Sequence, residues 1–203
     1  MNATKTIIQI GSHIGNTSND PIFENVDNTT RLILVEPVPF LFEQLKRNYT
    51  EKFGSNPNIV FINKAVSDFI GEIEMTIPSE KNDFSTLPPW ASQLSSVNPD
   101  HAVGHINHLL VEKINVKTTT LNEIVKTHGI TSIDLLHTDT EGHDYTILMN
   151  YSFDIKPNQI MFEHKHMDGL FTIGAKYEEL TQKLLELGYK KIHQNTEDTT
   201  FQL

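Results

Sequence analysis

Short apolar runs alternate along the chain with amphipathic stretches, the pattern of a parallel sheet covered by helices. Residues 6–10, 31–35 and 58–62 read as three brief, β-branched, largely apolar strands, as expected of strands buried on both faces. Between the second and third, Phe40, Leu41, Leu45 and Tyr49 recur at helical spacing, with Glu43, Lys46 and Arg47 on other faces. That spacing predicts an amphipathic helix.

Gly71 opens an alternating stretch over residues 72–77, a half-exposed strand that Pro78 ends. From there to Lys113 the chain is rich in Ser, Asn, Pro and His, and no clear period holds until His101. A segment this long between sheet elements is either a functional lid or partly disordered. Regular structure resumes with a strand at 114–118 and a helix at 121–127, with Gly129 as its stop. A fourth main strand follows at 133–137, a short helix at 145–149, a fifth strand at 159–162, and a long helix at 177–187 ending on Gly188. Runs 189–193 and 199–203 flank the turn-rich 195–198 and predict a closing antiparallel hairpin. The expected architecture is α/β: one domain over residues 1–203, with helices on both faces of a mostly parallel sheet and an insert at about 78–113.

Composition narrows the class. A chain of 203 residues is long enough to bury a core without staples, and no run reaches the ~18–20 apolar residues of a membrane span. No export signal is visible at the start, and the absence of cysteine excludes disulfides and thiolate chemistry. A cytoplasmic protein with no membrane partner is the expectation. The net charge of −10 disfavours nucleic acid as a partner, and the basic pairs Lys46-Arg47 and Lys190-Lys191 are too short to reverse it.

Four polar segments carry candidate chemistry. After the first strand comes Gly11-Ser12-His13-Ile14-Gly15-Asn16, a glycine turn without dinucleotide-fingerprint spacing that leads toward an expected helix, with polar caps such as Ser18. On its own it specifies a tight turn as readily as a ligand loop. The second strand ends in Glu36-Pro37-Val38-Pro39, and a carboxylate there accepts hydrogen bonds from both hydroxyls of a ribose or caps the following helix. Asn63-Lys64-Ala65-Val66-Ser67-Asp68 follows the third strand, where an adenine would lie. His137-Thr138-Asp139-Thr140-Glu141-Gly142-His143-Asp144 ends the fourth, where the acids serve chemistry or cap the next helix.

Together these segments resemble the FkbM-type methyltransferases, a family of class I S-adenosylmethionine-dependent enzymes mostly associated with O-methylation. The resemblance spans nearly the whole chain through Ile8 to Asn16, Val35 to Pro39, Asn63 to Asp68 and Asp139-Thr140-Glu141-Gly142. Departures are Ser12 in place of alanine, His137 in place of a lysine, and His143-Asp144 in place of an aromatic-acid pair. The resemblance implies a Rossmann-like seven-stranded sheet. It further implies that Gly11, Ser12, His13, Gly15 and Asn16 wrap the methionine part of S-adenosylmethionine, that Glu36 and Pro37 hold the ribose, and that Asn63 and Ala65 border the adenine. Asp139 would sit beside the methionine amino group or the acceptor.

The expected acceptor is a small hydroxylated molecule such as a sugar or glycan. For its proton the candidates are His137, Glu163 and His164, beside Asp139 and Glu141, because imidazole titrates near neutrality and burial tunes carboxylates upward. Asp139, Glu163 and His164 would also make a Mg²⁺ set, by analogy with other O-methyltransferases, although metal-free catalysis is the preferred reading. His101, His105 and His108 fall on one helical face and would bind zinc, but an acceptor-facing or solvent-facing role is preferred. Trp90 either walls the acceptor or seats the insert. Competing classes are a nicotinamide-dependent oxidoreductase, against which the glycine spacing argues, and a catalytically degenerate methyltransferase fold acting as a binding module.

Overall fold

Ile8 and Ile10 turn to one face of the first strand, Ile7 and Gln9 to the other, and that alternation sets the layers of the protein. The computed structural model describes residues 5–17 and 20–203. Strand β1 (Lys5–Ile10) pairs in parallel with β2 (Thr30–Val35) on one side and β7 (Leu135–Thr138) on the other. Helix α1 (Pro39–Phe53) leads from β2 to β3 (Ile59–Ile62). Helix α4 (Asp144–Met149) leads from β7 to β8 (Gln159–Glu163). Helix α5 (Ala175–Glu186) precedes the hairpin β9 (Lys190–Gln194) and β10 (Asp198–Gln202). The seven strands run in the order β3-β2-β1-β7-β8-β10-β9, with β10 antiparallel to both neighbours.

The Ile8–Ile10 face, continued by Val35, Leu136, Ile160 and Phe162, packs against α4, α5 and α3 (Leu121–Thr127). On the opposite face, Ile7, Leu32 and Leu34 meet Leu45 and Tyr49 of α1, each buried side chain contributing about 1.5–3 kcal/mol. Helices therefore cover both faces, as the sequence predicts. The chain leaves β1 in opposite directions through β2 and β7, and the crevice at the carboxyl ends of β1 and β7 is the switch point where ligands bind in such sheets.

The helix expected after the glycine turn does not form over the described residues; only a single 3₁₀ turn, Phe23–Asn25, precedes β2. The Asp20 carboxylate accepts from the backbone N–H groups of Ile22 (2.7 Å) and Phe23 (2.8 Å), a local turn that competes with helix, and Pro21 reinforces it. Ser18 lies outside the described residues.

The segment after residue 78 is ordered by its own contacts. Strand β5 (Glu72–Pro78) pairs antiparallel with β6 (Val111–Thr119), longer than the expected 114–118 run, and β6 also pairs with β4 (Ala65–Val66). Between β5 and β6 the chain forms two 3₁₀ turns and helix α2 (His101–His105), packed around Ala91, Leu94, Ala102, Ile106 and Leu109. No described helix is long and apolar enough to cross a membrane.

Candidate active site

The glycine turn is held by backbone geometry. Gly11 adopts φ +82°, and a Cβ there would lie 1.8 Å from the Asp139 carbonyl oxygen, so only glycine lets β1 and β7 end side by side. Its N–H and that of Ser12 both donate to the Val35 carbonyl at 3.0 Å. The buried Ser12 hydroxyl donates to the Gln9 carbonyl and accepts from the Val35 N–H, both at 3.2 Å. Gly15, at φ +81°, seats the turn on α1: a Cβ there would come within 2.5 Å of the Tyr49 ring. Asn16 accepts from Asn48, which also donates to the Ile14 carbonyl.

Glu36 is buried at the end of β2. One carboxylate oxygen accepts from the His13 N–H at 2.9 Å and the other from the Val38 N–H at 2.8 Å. The carboxylate thus braces the entrance to α1 without being its cap, and each oxygen keeps a second lone pair for a ligand. Burial pushes its pKa up to about 8, against the pull of the Val38 and His13 donors. Asn63 donates to the carbonyls of Glu36 (2.8 Å) and Pro37 (3.0 Å), holding the two strand ends together. Burial also lowers His13 to about 4, so its ring is neutral at pH 7. Its Nε2 lies 3.3 Å from the Ser92 carbonyl.

Three cavities meet at the end of β7. The first is a narrow cleft of about 80 Å³ between Gly11, His13, Glu36, Pro37, Ala65 and Asp139, roofed by Gln93, Ser95 and Val97 of the insert. The second, about 590 Å³, is walled by Trp90, His105, Lys165, His166 and Phe171. The third, about 100 Å³, lies over the sheet face of Gln9, His137 and Met161. Glu141 lines all three.

Glu141 holds φ +52°, and the next residue, Gly142, holds φ +98° with no room for a Cβ, which would lie 2.7 Å from the His166 carbonyl. The Glu141 carboxylate receives His101 Nε2 at 2.7 Å and lies 2.9 Å from His166 Nδ1. Burial pushes its pKa up, but the hydrogen bond from His101 and the nearness of His101 and His166 outweigh it and hold it at about 2. The Ser96 hydroxyl donates to the Glu141 carbonyl at 2.9 Å, a second tie between the insert and this loop. Asp139 and Glu163 are raised well above the usual carboxylate range, by burial first and by neighbouring acids second. Neither Asp139 nor Glu141 caps α4, which has no side-chain cap; Asp144, its first residue, accepts from the Thr140 hydroxyl (2.7 Å) and N–H (3.2 Å).

Of the expected site residues, Gly11, His13, Glu36, Pro37, Ala65, Asp139 and Glu141 line the first cleft, and Ser12, Gly15, Asn16 and Asn63 brace it. His137 opens on the third cavity alone, buried and lowered to about 4. His164 is not part of the crevice: its Nδ1 pairs with the Thr199 hydroxyl at 3.0 Å and its ring packs on Tyr177. The strand alternation that turns Glu163 toward the cavities turns His164 away. His101 and His105 face inward, but α2 ends at His105, so His108 leaves that face and pairs with Asn107. Their third companion is His166, whose Nε2 lies 3.0 Å from His105 Nε2. No periodicity links residues 61 apart in sequence. Trp90 walls the second cavity, its ring 5.8 Å from His105.

This strand order, with a buried acid at the end of β2 and an acidic loop at the end of β7, is that of a class I methyltransferase fold. The sequence matches the model of the methyltransferase FkbM domain over residues 9–191. The chain belongs to the FkbM methyltransferase family.

Among solved structures it resembles an FkbM methyltransferase from Methylobacillus flagellatus KT, with a TM-score of 0.55 and 12% identity over 100% of this chain and 44% of the other. The chain thus spans less than half of that protein's length. It also resembles the Methanococcus jannaschii fibrillarin pre-rRNA processing protein, at TM-score 0.50 and 12% identity, covering 100% of this chain and 67% of the other. A third neighbour is a putative caffeoyl-CoA O-methyltransferase from Staphylococcus aureus, at TM-score 0.50 and 10% identity, covering 98% and 76%. No curated protein matches the sequence.

Proposed function

We propose that the protein is an S-adenosylmethionine-dependent methyltransferase that methylates an oxygen of a small hydroxylated acceptor such as a sugar or glycan. The observation that carries this reading is the sharing of Glu141 by a cofactor-type cleft and both cavities beside it, with Asp139 common to the cleft and the third cavity. The cleft fits the cofactor's chemistry: Gly11 leaves backbone exposed, Glu36 keeps free lone pairs for two ribose hydroxyls, and Ala65 and Val66 offer an apolar edge for a base. S-adenosylmethionine supplies an electrophilic methyl group. The protein's part is to align the acceptor oxygen and take its proton, and alignment alone is worth ~7–11 kcal/mol. Asp139, raised above the usual carboxylate range by burial, is placed to take the proton, and Glu141, a wall of all three cavities, is placed to align the acceptor.

Residues 79–110 act in this reading as a lid, tied to the site through Ser92–His13, Ser96–Glu141 and His101–Glu141. The cleft's narrow width is set by Gln93, Ser95 and Val97, so admitting the cofactor moves that roof outward. Calorimetry with S-adenosylhomocysteine, followed by a screen of hydroxylated acceptors for methyl transfer, tests the proposal. Absence of binding, together with a Glu36→Ala variant indistinguishable from the parent, would refute it.

A further inference from the structure

Among the described residues, one set of ligating side chains lies behind the second cavity and shares only Glu141 with the cofactor-type cleft. Glu141 Oε2 and Glu163 Oε1 stand 2.9 and 3.0 Å from His166 Nδ1, and one ligand atom from each of the three lies within 4.8 Å of the others. We propose that Glu141, Glu163 and His166 form a binding site for one divalent transition-metal ion, Mn²⁺ in the first instance. Its open coordination positions face the second cavity.

Three observations support this assignment beyond proximity. First, His166 Nδ1 is buried and makes no directed hydrogen bond to either carboxylate despite the short distances, and Glu163 Oε2 is buried without a partner. Native structures seldom leave such atoms unsatisfied, and a cation among them would satisfy both. Second, the groups behind the three are arranged as outer-shell supports. His105 Nε2 lies 3.0 Å from His166 Nε2, so a neutral His166 that donates there presents its Nδ1 lone pair to the ion. His101 Nε2 donates to Glu141 at 2.7 Å and fixes that carboxylate. Third, the donor set of two carboxylates and one imidazole is mixed oxygen and nitrogen, which suits Mn²⁺, Fe²⁺ or Zn²⁺ better than the all-oxygen preference of Mg²⁺ or Ca²⁺.

Lys165 is the competing cation, 3.4 Å from Glu163 and 3.2 Å from Glu197. Its second partner gives it a place to move when an ion arrives. The set differs from the Asp139, Glu163 and His164 alternative that the sequence offers beside the preferred metal-free catalysis, because His164 points to the far side of the sheet. His166 and Glu141 line the second cavity, so a bound ion would meet an acceptor's hydroxyl there and lower its pKa. That last role rests on the methyl-transfer reading; the metal site does not.

The test uses the full chain, stripped with chelator, and Mn²⁺ alone, with bound ion read by electron paramagnetic resonance. One Mn²⁺ per chain is expected, weakened at least tenfold in Glu163→Gln and in His166→Ala, and more mildly in His105→Gln. Far-UV circular dichroism checks that each variant is folded, and a rise in the parent's melting temperature with Mn²⁺ gives a readout independent of the variants. Zn²⁺ displacing Mn²⁺ one for one would support the same site. Retention of Mn²⁺ by both folded variants, or no ion bound by the parent and no shift in its melting temperature, would overturn the proposal. So would Zn²⁺ binding that needs His105 and not Glu163, because it places the ion among the three histidines. Each result stands whether or not S-adenosylhomocysteine binds.

Discussion

If Glu36 holds the cofactor's ribose as proposed, binding should be a function of pH. Its carboxyl titrates at about 8 in the unliganded protein, so at neutral pH most molecules carry it protonated. The two ribose hydroxyls call for the charged, acceptor-only form. Binding therefore releases a proton below pH 8, and the apparent dissociation constant rises roughly tenfold for each unit below that value. Relative to the plateau above pH 8, affinity falls about tenfold at pH 7 and about a hundredfold at pH 6, or ~2.7 kcal/mol. Stability of the unliganded protein runs the opposite way. A carboxyl raised in the folded state contributes stability that is fully present below its unfolded value of 4.5 and lost as pH rises through about 8.

The assay is calorimetric titration with S-adenosylhomocysteine from pH 6 to 8.5 in buffers of different ionisation enthalpy, alongside denaturant unfolding over the same range. Glu36→Gln should bind more weakly at pH 8, lose the slope attributable to this group, and flatten the corresponding part of the stability profile. A parent whose affinity does not change between pH 6 and 8, or a variant that keeps the parent's slope, would refute the reasoning.

Gly11→Ala must displace the Asp139 carbonyl, so a loss of about 3 kcal/mol or more in denaturant unfolding is expected, along with loss of cofactor binding. Ser12→Ala removes a buried hydroxyl that bridges Gln9 and Val35, and should cost about 1 kcal/mol in unfolding while cofactor affinity stays within twofold. Gly15→Ala forces apart Tyr49 and Leu45 and should lower the melting temperature without altering the affinity of the folded fraction. Trp90→Ala takes away a wall of the second cavity and should raise acceptor KM with little change in kcat, as steady-state kinetics would show.

What could be read from sequence follows from how locally each feature is encoded. Strands β1 and β2 announce themselves because burial on both faces demands continuous apolar runs, and helix α3 matches its expected bounds of 121–127. Glu36 was legible because a strand end fixes its direction. The missing helix after Gly15 was not, since Asp20 diverts the backbone through its side chain rather than by any break in pattern. His164 was misplaced by one strand register, which carries a side chain to the other face. The pairing of His105 with His166, and the role of Gly142 in bringing the β8 loop against Glu141, arise from tertiary contacts that no local window contains.

One carboxylate forms a wall of all three cavities, and it is fixed from behind by His101 and clamped through its carbonyl by Ser96. Occupants of neighbouring cavities would therefore touch the same side chain. Whatever factor a molecule in the narrow cleft imposes on affinity in the wide one is returned in the opposite direction, by thermodynamic reciprocity. In the proposed two-substrate reaction, Glu141 is where one partner would be felt by the other, and order of addition and product inhibition should respond to its substitution.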